Sequence, residues 1–187
     1  MNFKVSEVAS SGDDEYYTPK YAVTPIVEFI PKEATIWCPF DTVDSWFVKV
    51  FERRGNKVIY SHIDEGKDFF YYEPKEDYDF IVSNPPYSLK NEVLARLFYL
   101  NKPFAMLLGI VGIFEGRYRT NLFRKNIFEV LYLTTRVNYF EDYEDQRPSK
   151  SPPFQSAYIC SRVLPKQIMF ADIDKSDLYN DEQLRLF

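Results

Sequence analysis

The sequence predicts an α/β fold: a mostly parallel, seven-stranded sheet with one antiparallel edge strand and helices on both faces. The first observation is that strand-like apolar segments alternate with helix-like segments up to about residue 110, as in repeated βαβ units. The second is length, because 187 residues with 45% hydrophobic content suit one domain with one core. The third is the helix-free stretch 141–153 between two late strand patterns, which favours an antiparallel strand at one edge.

The individual elements follow from apolar spacing and from turn residues. A short amphipathic helix is predicted over 21–30, with Pro25 near its start, where proline is tolerated. Further helices are predicted over 44–54, which Gly55 closes, and over 91–100. Strands are predicted at 34–40, 57–62, 78–82, 103–110, 128–134 and 156–162. The predicted organisation is a flexible arm (1–15), a single domain (16–171) and a charged tail (172–187).

Composition argues against several function classes. The net charge of −5 argues against a free-standing, non-specific nucleic-acid binder, which usually carries a basic balance. Any nucleic-acid contact must then come from local clusters such as Arg117–Lys125. The single histidine, His62, rules out a His-rich metal cage, and the separated Cys38 and Cys160 predict reduced core residues rather than metal ligands. No apolar run approaches the roughly 20 residues of a membrane span, so neither membrane nor metal binding is expected.

The motif that carries chemistry is Asn84-Pro85-Pro86-Tyr87, which directly follows the buried strand predicted at 78–82. In open α/β sheets, ligands bind outside the carboxyl ends of the strands. Because proline averages about 5% of residues, a chance match to such a tetrapeptide has odds of roughly one in a hundred or less. We therefore interpret residues 83–88, with Ser83 and Ser88 at the ends, as a pocket for a target base.

The residue types of this motif suit the binding of an exocyclic amino group. Such a group offers two N–H donors and has a delocalised, poorly nucleophilic lone pair. The side-chain oxygen of Asn84 can accept one N–H, and the carbonyl of Pro85, held by the rigid Pro-Pro backbone, can accept the other. Two acceptors localise the lone pair on nitrogen. Tyr87 is expected to offer a face on which a flipped base stacks.

On these residues the chain resembles the amino-methyltransferases that use S-adenosylmethionine, and specifically short bacteriophage-type DNA adenine-N6 methyltransferases. The resemblance runs from about Asp14 to Phe170. It implies a Rossmann-like class I methyltransferase fold, S-adenosylmethionine as cofactor and DNA with a flipped adenine as partner. It also implies a cytoplasmic location in a phage-infected bacterial host.

Other segments add to the resemblance in the same order along the chain. Tyr17-Thr18-Pro19 is similar to the family's upstream cofactor segment, and Cys38-Pro39-Phe40 is similar to the start of its first cofactor loop. In the segment 67–70, the resemblance implies that Asp68 holds the cofactor's adenine amino group while Phe69 packs on the adenine ring. The late hairpin typical of phage members is matched by 136–140 and 153–157.

The cofactor pocket departs from the family pattern. The family's first loop is normally Asp-Pro-Phe followed by two glycines, whereas Cys38 stands at the acidic position and neither glycine is present. Asp41 or Asp44 could replace the missing acid. The acid that ends the family's second strand corresponds to His62, with Asp64 two residues later. The chain could therefore bind the cofactor through a rebuilt loop, bind it weakly, or be a pseudo-enzyme.

The acceptor is open to several interpretations. The basic residues Arg117, Arg119 and Arg124 predict phosphate contacts beside the pocket, although such a cluster is often only a solvated face. Sequence specificity would come from loops such as 112–126 and 141–153. The same motif occurs in families that methylate RNA adenine or a protein glutamine amide. In another class, the chain would be a non-catalytic phage protein that binds DNA or a host protein.

Overall fold

The computed structural model describes residues 17–140 and 154–178, so the predicted arm (1–15) and the loop 141–153 lie outside the described residues. Four helices are present in this part of the chain: α1 (Lys20–Val27), α2 (Trp46–Arg54), α3 (Lys90–Leu100) and α4 (Arg117–Lys125). The strands are β1 (Thr35–Cys38), β2 (Lys57–Tyr60), β3 (Phe80–Ser83), β4 (Phe104–Gly109), β5 (Glu129–Leu133), β6 (Ser156–Ser161) and β7 (Ile168–Ala171). Short 3₁₀ turns cover Ile63–Glu65, Tyr87–Leu89 and Lys175–Leu178.

The seven strands form one sheet in the order β2-β1-β3-β4-β6-β5-β7. Strands β1 to β4 are mutually parallel, and β7 is parallel to β5. Only β6 runs the other way among these strands, pairing antiparallel with both β4 and β5. The predicted fold class, a mostly parallel sheet in an α/β fold, is confirmed.

The position predicted for the antiparallel strand was wrong. Strand β6 lies inside the sheet, because the crossover through α4 places β5 one position away from β4 and β6 fills the gap. All six residues of β6 are buried, as expected for an interior strand. On this side the edge is β7, a half-exposed strand of four apolar residues, Ile168–Ala171, that the sequence analysis did not predict.

A second difference concerns the segment 112–126, which was expected to be a loop. Residues Arg117–Lys125 form α4, in which Phe123 is the buried residue. The helix is polar on nearly all sides, so apolar periodicity does not reveal it.

A third difference concerns the predicted tail, whose first residues are structured. Thr134 donates to the Asp172 carboxylate at 2.7 Å.

The core fills the space between the sheet and the helices. Helices α1 and α2 pack against each other, as do α3 and α4. Helix α2 begins at the cap Ser45, whose hydroxyl accepts the N–H of Phe47, and ends at Gly55, whose φ of 100° suits glycine. Cys38 and Cys160 are both buried and unpaired, as predicted, and burial raises the pKa of each thiol well above its ordinary value.

Candidate active site

The candidate site lies at the carboxyl edge of the parallel strands. Strand β3 ends at Ser83, and the chain continues through Asn84, Pro85 and Pro86 into the 3₁₀ turn that precedes α3. Strand β1 ends beside it at Cys38, and β4 ends at Gly109 on the other side. The predicted pocket residues 83–88 therefore lie where the neighbouring strands of the sheet also end.

Two segments of the resemblance meet at this edge, although they are far apart in the sequence. The Asn84 side-chain amide donates to the Thr18 hydroxyl oxygen at 3.1 Å. Thr18 is 1% exposed, and its neighbour Tyr17 pairs through its backbone with Phe140. The hydrogen bond to Thr18 uses the amide nitrogen of Asn84. The amide oxygen, which was expected to accept an N–H of the target amino group, belongs to the same planar amide and is therefore held in place with it.

Tyr87 is held inside the protein. It is 8% exposed, and its hydroxyl donates to the Tyr139 hydroxyl at 2.7 Å. The Tyr139 hydroxyl in turn lies 2.8 Å from the hydroxyl of Ser156. The ring of Phe154, only partly buried, lies 5.1 Å from that of Tyr87 at an interplanar angle of 80°. The sequence identified Tyr87 as the stacking face, whereas Phe154 is the more accessible ring.

Phe154 and Tyr139 were missed as site residues by the sequence analysis. Both lie in segments that carried the resemblance, but nothing in their spacing indicates contact with Tyr87. The contact depends on β6, whose first residue, Ser156, pairs with the last residue of β4 at the edge of the sheet.

The loop after β1 is closed by a buried carboxylate. Asp41 is 5% exposed. One carboxylate oxygen accepts the hydroxyl of Ser45 and the other accepts the hydroxyl of Ser83. Burial raises the pKa of Asp41 to about 6, against the opposing effects of these two hydrogen bonds and of His62. Among the residues expected to bind cofactor, Cys38 and Pro39 are also buried, whereas Phe40 is half-buried.

The other predicted cofactor residues follow β2. The Nδ1 atom of His62 accepts the backbone N–H of Asp64 at 3.3 Å and lies 3.2 Å from that residue's carboxylate. Asp68 accepts the backbone N–H of Phe70 at 2.9 Å. Phe69 is 2% exposed, and packed around its ring are Trp37, Phe40, Phe70 and Arg96. A cofactor ring would reach the Phe40 side of this cluster more readily than Phe69 itself.

The predicted phosphate-binding arginines divide into two kinds. Arg117 and Arg124 are exposed on α4. The guanidinium of Arg119 instead donates to the backbone oxygens of Gly112, Ile113 and Glu115 and to the side-chain oxygen of Asn91. Arg119 therefore fastens the loop after β4 to α3. Ser88, the last residue of the predicted pocket, is exposed.

The described residues contain neither a cluster of metal ligands nor a membrane-spanning helix. Across residues 17–140 and 154–178, no three His, Cys, Asp or Glu side chains are grouped so that they could hold a metal ion. No helix in that same part of the chain is long and apolar enough to cross a bilayer.

Comparison with known proteins gives structural neighbours only. No protein-family model and no curated protein sequence matches the chain. A modification subunit assigned to a type I restriction enzyme from Vibrio vulnificus matches 88% of the chain and 48% of its own, with a TM-score of 0.52 and 10% identity. A type I restriction-modification methyltransferase subunit from Streptococcus thermophilus matches 84% of the chain and 47% of its own, with a TM-score of 0.49 and 14% identity.

The chain thus spans about half the length of these solved structures. At this level of identity the similarity concerns the fold alone.

Proposed function

We propose that this protein transfers a methyl group from S-adenosylmethionine to the N6 amino group of adenine in DNA. The observation that carries the proposal is the placement of Asn84 at the carboxyl end of β3, with its amide nitrogen bound to Thr18. A side chain fixed in this way presents an oxygen acceptor in a constant direction. Preorganised acceptors and donors of this kind are a large source of catalytic rate.

The residues of the motif would act on the acceptor. The oxygens of Asn84 and Pro85 accept the two hydrogens of the adenine amino group, which localises the nitrogen lone pair. The cofactor would supply an electrophilic methyl group on a sulfonium sulfur. The reaction makes a nitrogen–carbon bond, breaks a carbon–sulfur bond and releases one proton from nitrogen. Because no other covalent chemistry is needed, alignment of the two reactants is the main task of the protein.

The residues around β1 and β2 fit this cofactor by the chemistry of their side chains. His62, Asp64 and Asp68 provide hydrogen-bonding groups after the carboxyl end of β2, suited to ribose hydroxyls and to an adenine amino group. Phe40 is half-buried over Phe69, with ring centroids 4.8 Å apart, and would pack against the adenine ring. Tyr17, Thr18 and Pro19 would lie at the methionine end of the cofactor.

A nucleic acid, rather than a protein, is the acceptor that the charge of α4 favours. The helix carries Arg117, Arg119, Arg124 and Lys125 and no acidic residue, although the whole chain has a net charge of −5. Arg117 and Arg124 are seven residues apart, so they share one face of the helix and are separated by about 10 Å along its axis. We propose that these two side chains contact phosphates beside the pocket.

A non-catalytic binding function is the second candidate. It is favoured by the enclosed ring of Phe69 and by the absence of glycine from the loop after β1. In that case the protein would keep the fold and bind DNA or another protein without transferring a methyl group.

One experiment separates these functions. Labelled methyl transfer from S-adenosylmethionine is measured on adenine-containing DNA, on RNA and on protein, beside calorimetric titration of the cofactor. We expect transfer to DNA, with a loss on the order of 100-fold in Asn84→Ala and wild-type cofactor affinity. Gln167→Ala, at an exposed amide residue just before β7, is the matched control and should remain fully active. Cofactor binding without a loss in Asn84→Ala would refute the assigned site, and no cofactor binding at all would favour the non-catalytic function.

A further inference from the structure

The feature that the proposed chemistry leaves unexplained is the buried carboxylate of Asp41. This residue lies in the loop between β1 and α2, where the resembling family has glycines. Its side chain points into the protein, with 5% of the residue exposed. Both carboxylate oxygens are used, because one accepts the Ser45 hydroxyl and the other accepts the Ser83 hydroxyl.

The two serines belong to different parts of the site. Ser45 is the cap of α2, where its hydroxyl oxygen also accepts the N–H of Phe47 at 3.2 Å. Ser83 is the last residue of β3 and directly precedes Asn84. The backbone N–H of Asp41 adds a third attachment, since it donates to the carbonyl of Ser61 at 3.2 Å. The carboxyl ends of β1, β2 and β3 are therefore joined through one residue.

If Asp41 served only to fill space, a carboxylate would be unfavourable there, because burying its charge lowers stability. The groups that act on its charge are the two serines, which donate to it, and His62, after β2. No lysine or arginine among the described residues stabilises it, and buried charges are ordinarily paired. Cys38 on β1 and Tyr158 on β6 are also close enough for Asp41 to affect their pKa values, and neither is a cation. Packing does not require a charge here, but a carboxylate can accept two hydroxyl hydrogens at once.

We infer that Asp41 is a positioning residue that ties the loop between β1 and α2 to the strand carrying Asn84. This inference rests on the proposed function, because the loop would border the cofactor and Asn84 would hold the acceptor. The two hydrogen bonds of Asp41 hold the loop between β1 and α2 in one position. Asp41 also couples cofactor binding to acceptor binding, since a shift of the loop is transmitted through Ser83 to Asn84.

The test compares three variants and one control by calorimetric titration of S-adenosylmethionine, by steady-state methyl transfer and by thermal unfolding. Asp41→Ala removes both arms of the tie, so cofactor affinity and kcat should each fall, by about 10- to 100-fold, because small misplacements are costly in aligned reactions. Ser83→Ala removes only the arm to Asn84. It should lower kcat by about tenfold and leave cofactor affinity within about twofold of wild type.

Asp41→Asn is the conservative variant. Its amide can accept from Ser45 and donate to Ser83 if that hydroxyl reverses, so it should recover more activity than alanine but less than aspartate. Ser161→Ala is the matched control, since Ser161 is a buried serine at the opposite edge of the sheet. It should leave cofactor affinity and kcat unchanged.

The outcomes separate the two proposals. If the wild type binds cofactor and transfers methyl groups while Asp41→Ala and Ser83→Ala match Ser161→Ala, the inference is wrong and the proposed function stands. If losses of activity follow only losses of thermal stability, with cofactor affinity and kcat falling together in Ser83→Ala, the role is structural and the inference also fails. If the wild type binds no S-adenosylmethionine, the proposed function fails and the inference fails with it.

Discussion

The rings of Tyr87 and Phe154 meet at nearly a right angle, with centroids 5.1 Å apart and planes at 80°. Gly109, the last residue of β4, makes this arrangement possible. A Cβ atom at Gly109 would lie 2.7 Å from two ring atoms of Phe154, which is far inside van der Waals contact. Because Gly109 has no side chain, Phe154 can lie across the end of β4 and contact the ring of Tyr87.

Gly109→Ala should therefore act through Phe154. The added methyl group displaces the ring, and we expect weaker binding of the acceptor base. The upper limit is the effect of Phe154→Ala, which should raise KM for DNA by about 5- to 150-fold if the ring supplies a stacking contact of about 1–3 kcal/mol. Steady-state methyl transfer measures both. In the Phe154→Ala background, Gly109→Ala should add little, since the two substitutions remove the same contact. Additive effects would show that Gly109 acts by another route.

Tyr87→Phe tests the hydroxyl separately from the ring. The substitution removes the hydrogen bond to Tyr139 and keeps the aromatic face. We expect the free energy of unfolding to fall by about 0.5–1.5 kcal/mol, the usual net value of one hydrogen bond, while methyl transfer keeps most of its rate. Chemical denaturation gives the first quantity. Tyr71→Phe, at a residue that is 71% exposed, is the control and should change neither. A large loss of rate with unchanged stability would give the hydroxyl a role in the chemistry.

The sequence predicts features that depend on neighbouring residues, but it does not predict contacts between residues that are far apart along the chain. The alternation of strands and helices and the position of Asn84 after a strand are local patterns, and both agree with the structure. The contact between Tyr87 and Tyr139 joins residues 52 positions apart and exists because β6 inserts between β4 and β5. The pattern of apolar residues does not specify that insertion. Asp41 was considered as a cofactor ligand because it could replace the acid that is missing from the first loop, and only the packing of three strand ends reveals its burial.

Substitution of Arg119 should affect stability, whereas substitution of Arg117 should affect nucleic-acid binding. Arg119 donates to three backbone oxygens and to Asn91, so Arg119→Ala should lower the free energy of unfolding by about 1–3 kcal/mol. Arg117 is exposed two residues earlier, and Arg117→Ala should leave stability unchanged. It should weaken DNA binding at all sequences and reduce the slope of log affinity against log salt by about 1. Fluorescence anisotropy over a range of salt concentrations measures this slope. An unchanged slope would remove Arg117 from the interface.

Asp41→Asn should stabilise the protein at neutral pH while weakening its function. The pKa of the Asp41 carboxyl is about 6 in the folded protein, raised by burial from an ordinary value of 3.8. The folded state therefore binds the proton more tightly than the unfolded chain. The stability that this group contributes is fully present below pH 4 and is lost as the pH rises through 6. A difference of this size corresponds to about 3 kcal/mol, and asparagine does not bear this cost because it carries no charge. We expect Asp41→Asn to match the wild type in chemical denaturation near pH 4 and to exceed it by about 1–3 kcal/mol at pH 8. Equal stability of the two proteins at both pH values would show that the carboxylate is not held at a cost. Lower stability of the variant at pH 8 would show that the two serine hydrogen bonds outweigh the burial of charge.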